Sequence, residues 1–158
     1  MKYSKAQLIK YRFDKAKEIL KDAEILMENE RWNSSANRLY YACFYAISAY
    51  LAHKGLRAIT HSGLKSCFNN ELVRPGKVSI ADGKIFNKLF LLRHEADYED
   101  FFQPDANTVI FLLPKVKELI LKIENFTYNM TQFIGLTNFQ YVPNICHFRG
   151  NHQFVLEA

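Results

Sequence analysis

The sequence predicts an all-α protein, a bundle of about five helices followed by an irregular or short-strand C-terminal tail. Three observations carry that expectation. Apolar residues recur at helical spacing over several long stretches. Only six Gly and four Pro interrupt 158 residues, too few for a turn-rich β fold. Capping residues, glycines and prolines stand where the periodic stretches begin and end.

The first helix is expected from about Ser4 to Glu30. Leu8, Tyr11, Ala16, Ile19, Leu20, Ala23 and Leu26 approximate an apolar stripe, with Lys and Glu over much of the remainder. Ser4 and Gln7 stand three apart, the spacing of a capping box. Lys10, Lys17 and Lys21 form a solvated face. A second helix is expected to begin after Asn33 or Ser34 and to reach about Lys54, where Gly55 gives a stop. Its middle, from Leu39 to Ile47, is apolar or aromatic nearly all round, which marks a helix packed on several sides. Asn37 and Arg38 are the polar exceptions at its entry.

Leu56 to Gly63 reads as a loop, with Thr60 or Ser62 capping a short third helix that reaches Leu72 or Val73. Arg74-Pro75-Gly76-Lys77 is a turn and lacks the glycine spacing of a phosphate loop. The fourth helix spans about Ile80 to Tyr98, with Ile85, Phe86, Leu89, Phe90 and Leu92 mostly inward. Phe101 and Phe102 are expected to fold back onto the bundle. The fifth helix starts near Pro104 or Asp105, because proline suits a first turn. Val109, Leu112, Leu113, Val116, Leu119, Ile120 and Ile123 continue it, and Pro114 predicts a kink or local break. After Asn125 the stripe is lost and charge nearly vanishes. The bundle is therefore assigned to residues 1–125 and an extension to 126–158.

The length suits one domain with a real core. A hydrophobic share of 49% and a charged share of 23% are ordinary for a globular chain. A net charge of +5 permits attraction to phosphates or to an acidic partner without demanding it. Cys43, Cys67 and Cys146 are odd in number and unpaired by spacing, so they fit neither a disulfide framework nor a zinc site. The lysine-rich start has no apolar signal core, and no stretch reaches about 18 apolar residues. A cytoplasmic protein is expected, without a membrane span.

Functional groups gather at the end of the fourth helix, in Arg93-His94-Glu95-Ala96-Asp97-Tyr98. On a helix Arg93 and Asp97 share one face, as do His94 and Tyr98. Taken alone, the stretch reads first as a surface ion pair at a helix end, worth about 0.3–0.5 kcal/mol. His61, at the entry of the third helix, suits either a phosphate donor or a partner for backbone groups.

Three stretches together carry a resemblance: Asn37-Arg38-Leu39-Tyr40-Tyr41-Ala42, His61-Ser62-Gly63 and Arg93-His94-Glu95-Ala96-Asp97-Tyr98, with Asp100-Phe101-Phe102 just after. In order and spacing they resemble the HEPN family (higher eukaryote and prokaryote nucleotide-binding), in its small stand-alone prokaryotic branch, over about Tyr11 to Glu124. The resemblance implies a compact helical bundle, usually a homodimer, often paired with a minimal nucleotidyltransferase in a toxin–antitoxin system. It implies binding of nucleotide or RNA around Arg93–Tyr98, with no cofactor and no metal. Competent relatives are metal-independent ribonucleases that use an Arg, a polar residue and, four to six residues on, a His. Here Arg93 and His94 supply the first two, and Tyr98, Glu99 and Asp100 stand where the second histidine belongs. Three readings follow. One is a nucleotide- or RNA-binding partner of a nucleotidyltransferase. Another is an endoribonuclease toxin with Arg93 as phosphate clamp and His94 as proton carrier. The third is a non-catalytic structural or interaction module. In the functional readings Asn37, Arg38, Tyr41, His61, Asp97 and Tyr98 contact substrate or support those that do.

Overall fold

The computed structural model describes residues 3–98, 102–133, 144–145, 147–149 and 153–155. Helix α1 (Lys5–Glu28) opens on the expected capping box: Gln7 N–H donates to Ser4 Oγ at 3.2 Å, and Ser4 N–H to Gln7 Oε1 at 2.8 Å. Its inward face is Ile9, Phe13, Ala16, Ile19 and Ala23, spaced three and four apart. Tyr11 is 58% exposed, contrary to the expected stripe. Two residues from Phe13, it lies about 200° round the helix, so both cannot face the core.

Glu30, with φ of 56°, turns the chain back into α2 (Trp32–His53). This helix starts before the expected caps, and no side chain caps its first turn. Ser35 is instead fully buried and donates to the Ala23 carbonyl at 2.8 Å, tying α2 to α1. The all-round apolar middle of α2 packs against α1, α4 and α5, as a helix without a polar face requires. Leu39, Tyr40, Cys43, Ile47 and Tyr50 are buried there, at the centre of the core.

A two-residue strand β1 (Leu56–Arg57) follows and pairs in parallel with β2 (Asn144–Ile145). Helix α3 (His61–Phe68) is capped by Thr60, whose Oγ1 accepts from Gly63 N–H at 2.9 Å. It runs directly into a π-helical turn at Asn69–Val73. Gly76, with φ of 75°, closes the turn as the Pro-Gly pair predicts. Helix α4 (Ile80–Tyr98) has the expected bounds. Ser79 and Asp82 form a second reciprocal cap, with Asp82 N–H donating to Ser79 Oγ (3.0 Å) and Ser79 N–H to Asp82 Oδ2 (2.9 Å). Asp82 also accepts from Lys122 at 3.2 Å, joining the start of α4 to the next helix. Gly83 meets the π-helical turn: a Cβ there would stand 3.2 Å from Val73 Cγ2.

Phe102 packs half-buried on the core as expected, while Phe101 lies outside the described residues. Asp105 Oδ2 accepts from Thr108 N–H at 3.0 Å ahead of α5 (Ala106–Phe133). The helix continues through Pro114 without the expected break, and continues past Asn125 to Phe133. The apolar pattern misses this last stretch because a polar residue carries it. Thr127 is fully buried, and its hydroxyl donates to the Ile123 carbonyl at 2.7 Å. Tyr128 packs against Phe13, with ring centroids 5.7 Å apart. Beyond it the short strands β3 (His147–Arg149) and β4 (Gln153–Val155) form an antiparallel pair, and β3 lies against α3. No described helix is long and apolar enough to cross a membrane.

Candidate functional site at the junction of α2, α3 and α4

Tyr40 is the centre of the site, although its place in an apolar run made it look like plain core. Its ring stacks on Phe86 at 5.7 Å and 14°, and touches Tyr41, Phe44 and Phe90. Its hydroxyl lies 2.8 Å from His61 Nδ1. Burial pushes the Tyr40 phenol far above its usual range, with the nearby Arg93 charge pulling it partly back. The phenol is thus held protonated. The entry of α3 is fixed against α2 through this bond and through the His61 ring, which packs on Tyr41 and Phe44.

Three cations from three helices sit on this one aromatic cluster. The Arg93 guanidinium of α4 lies 5.7 Å from the Tyr40 centroid, and that of Arg38 on α2 lies 5.4 Å from the Tyr41 centroid. The Lys65 ammonium of α3 lies 4.7 Å from the Phe90 centroid. Each contact favours the cation through the ring quadrupole, by about 0.5–1 kcal/mol where exposed. Together they hold positive charge in fixed places on an otherwise apolar wall. Lys65 was not singled out in the sequence. Only its spacing after His61, one turn into α3, could have drawn attention to it.

Arg38 Nη2 also donates to Asn37 Oδ1 at 3.0 Å. Both residues line an open cleft of about 610 Å³ between α1, α2 and the end of α4, where Asp22, Ile25, Asn33 and Ala96 complete the wall. A volume of that size suits a nucleotide-sized ligand. The residues drawn from three separate motifs therefore meet: Asn37, Arg38 and Tyr41 from the first, His61 from the second, Arg93 from the third.

His94 does not share that position. It is exposed and packs on Tyr98, itself 75% exposed, with ring centroids 4.6 Å apart. Adjacent residues on a helix diverge by about 100°, so Arg93 turns towards Tyr40 while His94 turns outward. Asp97 lies in the last turn of α4, and its side chain lies outside the described residues. Cys43 and Cys67 are buried thiols, and Cys146 lies outside the described residues. Among the described residues, no group of three or more His, Cys, Asp or Glu is placed to hold a metal ion.

The architecture defines a class: an all-α bundle whose second, third and fourth helices meet at a cationic, aromatic site. The chain belongs to the HEPN family, for the HEPN domain matches residues 9–126. It is 41% identical over 122 residues to a "UPF0332 protein" of Thermotoga maritima, covering 77% of this chain and 87% of that one. It is 36% identical over 98 residues to "Putative toxin MJ0605" of Methanocaldococcus jannaschii, covering 61% and 73% respectively. A second protein of that organism, "Putative toxin MJ0142", is 26% identical over 102 residues, covering 65% and 69%.

Proposed function

We propose that this protein is a toxin-like HEPN component of a toxin–antitoxin pair, and that it binds RNA or nucleotide phosphate at the site around Arg93. The observation that carries this reading is the placement of Arg38, Lys65 and Arg93 on one aromatic cluster, with Arg38 also lining an open cleft. Cations grouped in this way are what the phosphates of a nucleic acid require. The toxin names of two relatives point the same way. A homodimer and a minimal nucleotidyltransferase as antitoxin complete the reading and rest on the family resemblance.

Ribonuclease chemistry by Arg93 and His94 would need a second copy. Within one chain the two side chains diverge, so His94 would have to approach from a twofold partner. Metal-free cleavage that survives both Arg93→Ala and His94→Ala would exclude that pair as its agents.

The test of binding is a titration of the purified protein with a single-stranded RNA oligonucleotide at several salt concentrations. Arg93→Ala is expected to weaken binding roughly tenfold and to lower the salt slope by about 1, as loss of one phosphate contact does. Thermal unfolding of the same variant separates this from packing alone. A purely structural arginine would lower Tm and leave the salt slope unchanged. Absence of RNA and nucleotide binding, together with no association with a co-expressed nucleotidyltransferase, would sink the proposal.

A further inference from the structure

The far side of α4 carries a second groove, separate from the cleft that Arg38 lines. It lies between α4 and the first turns of α5 and has a volume of about 500 Å³. Lys84 and Arg93 stand nine residues apart on α4, two and a half turns of helix, so the groove and the Arg93 site face opposite ways. Lys84 and Lys88 line one wall, both exposed, and neither makes an ion pair or hydrogen bond among the described residues. Phe111 of α5 stands on the other wall and is 57% exposed. Lys115, one turn on, holds its ammonium 4.9 Å from the Phe111 centroid and adds a third positive charge. The carboxylate of the groove, Asp105, is turned to the start of α5, where it accepts from Thr108 N–H at 3.0 Å and from Thr108 Oγ1 at 3.3 Å.

We propose that this groove is a second binding site, taking a single-stranded RNA segment with one base stacked on Phe111 and the neighbouring phosphates on Lys84 and Lys88. A lone exposed phenylalanine is ordinary on a protein surface. What sets Phe111 apart is its company: cations on the facing helix that no acid pairs. Charge along the backbone and a flat apolar face for a base are how single strands are held without regard to sequence. Tyr40 cannot play that part at the other site, since it is fully buried. Lys84 and Lys88 are one turn apart, about 6 Å along the axis, close to the step between successive phosphates of a strand. A protein helix fits the groove less well. It sets several apolar side chains into its receptor, at i, i+3, i+4 and i+7. Here Leu112 is buried and Ile85 half-buried, so Phe111 is the one exposed large apolar side chain of the lining. The choice of RNA over DNA rests on the proposed function; the groove does not.

The test titrates the full-length protein with a labelled single-stranded uridine RNA oligonucleotide, in the wild-type and Arg93→Ala backgrounds. In both, Phe111→Ala is expected to weaken binding roughly tenfold, as loss of one stacked base does, while Phe111→Trp preserves it. Lys84→Ala and Lys88→Ala should each lower the salt slope by about 0.7, the loss of one phosphate contact to a single strand. Phe111 is exposed, so its variants should keep the wild-type Tm. Ultraviolet irradiation of the wild-type complex should cross-link the oligonucleotide to Phe111, located by mass spectrometry. Cross-links elsewhere only, or unchanged affinity in Phe111→Ala, overturn the site. Weakening by the lysine variants alone marks a surface for any polyanion and overturns it equally. A polyglutamate peptide that binds with the same dependence on Phe111 assigns the groove to an acidic polypeptide and overturns the RNA. The matching DNA is titrated alongside, and Phe111-dependent binding of the DNA alone overturns the choice of RNA. Loss of all binding in Arg93→Ala, with Phe111→Ala harmless, overturns the groove and leaves the Arg93 reading standing; the reverse pattern overturns the Arg93 site and leaves the groove. A wild-type protein that binds no oligonucleotide overturns both.

Discussion

Replacing Asp82 by asparagine removes one charge from the joint between α4 and α5, and the structure sets the size of the effect. The carboxylate is 8% exposed and accepts from Ser79 N–H (2.9 Å), Ser79 Oγ (2.8 Å) and Lys122 Nζ (3.2 Å). Burial pushes its carboxyl up, but the hydrogen bonds from Ser79 and Lys122 outweigh that and hold it below its ordinary value. Asparagine can still accept from the Ser79 backbone, so the cap is weakened rather than lost. What goes is the charge at the N-terminus of α4, about 0.5 kcal/mol, and the ion pair to a partly exposed Lys122, about 0.5–1 kcal/mol. Asp82→Asn should therefore cost about 1–1.5 kcal/mol at pH 7, or a Tm lower by about 2–6 °C. The sign with pH follows from the depressed carboxyl. Its contribution is complete above the unfolded-state value and fades as pH falls through the folded one. The gap between wild type and variant should accordingly close in acid. Urea unfolding at pH 7 and near pH 2.5 measures both. A cost below about 0.3 kcal/mol at pH 7, or a gap that persists unchanged in acid, would refute the reasoning.

Ser35→Ala removes the hydroxyl that ties α2 to the Ala23 carbonyl and should destabilise the protein by about 1 kcal/mol in the same urea assay, since the bond is buried. Cys43 is fully enclosed, and burial pushes its thiol far above the usual range. Its alkylation by iodoacetamide in the native protein should be slower than in urea by more than about tenfold, followed by mass spectrometry at that residue.

Regular features of the fold were legible because local chemistry sets them. The start of α4 follows from the Ser79–Asp82 cap, and that of α1 from the Ser4–Gln7 box. The start of α2 was misplaced because no side chain caps it, while Ser35, next to the expected cap, is a buried tie to α1. The phase of α1 turned on Tyr11, apolar enough to be counted inside and polar enough to lie out. The end of α5 was hidden for the complementary reason: Thr127 counts as polar until its hydroxyl is bonded to its own helix. At the site, the motifs named Asn37, Arg38, Tyr41, His61 and Arg93 as a group. Tyr40 stood inside the first of them without being singled out, and Lys65 lay outside all three. The spacing of one helix cannot say that one of its fully buried tyrosines touches a histidine from another and an arginine from a third. That relation exists only once α2, α3 and α4 are packed.

The missing side chain at position 83 reaches further than its own neighbourhood. Val73 lies so close that a methyl group on Gly83 would have to be met by a few tenths of an ångström of movement. Arg93 stands ten residues farther along the same rod, about 15 Å at 1.5 Å per residue. A tilt of about four degrees at the contact would carry the guanidinium about 1 Å across the face of Tyr40, a displacement of the size that spoils a reactive or binding geometry. The bare backbone at one end of α4 thus sets the tilt of a rod that carries the arginine near its other end.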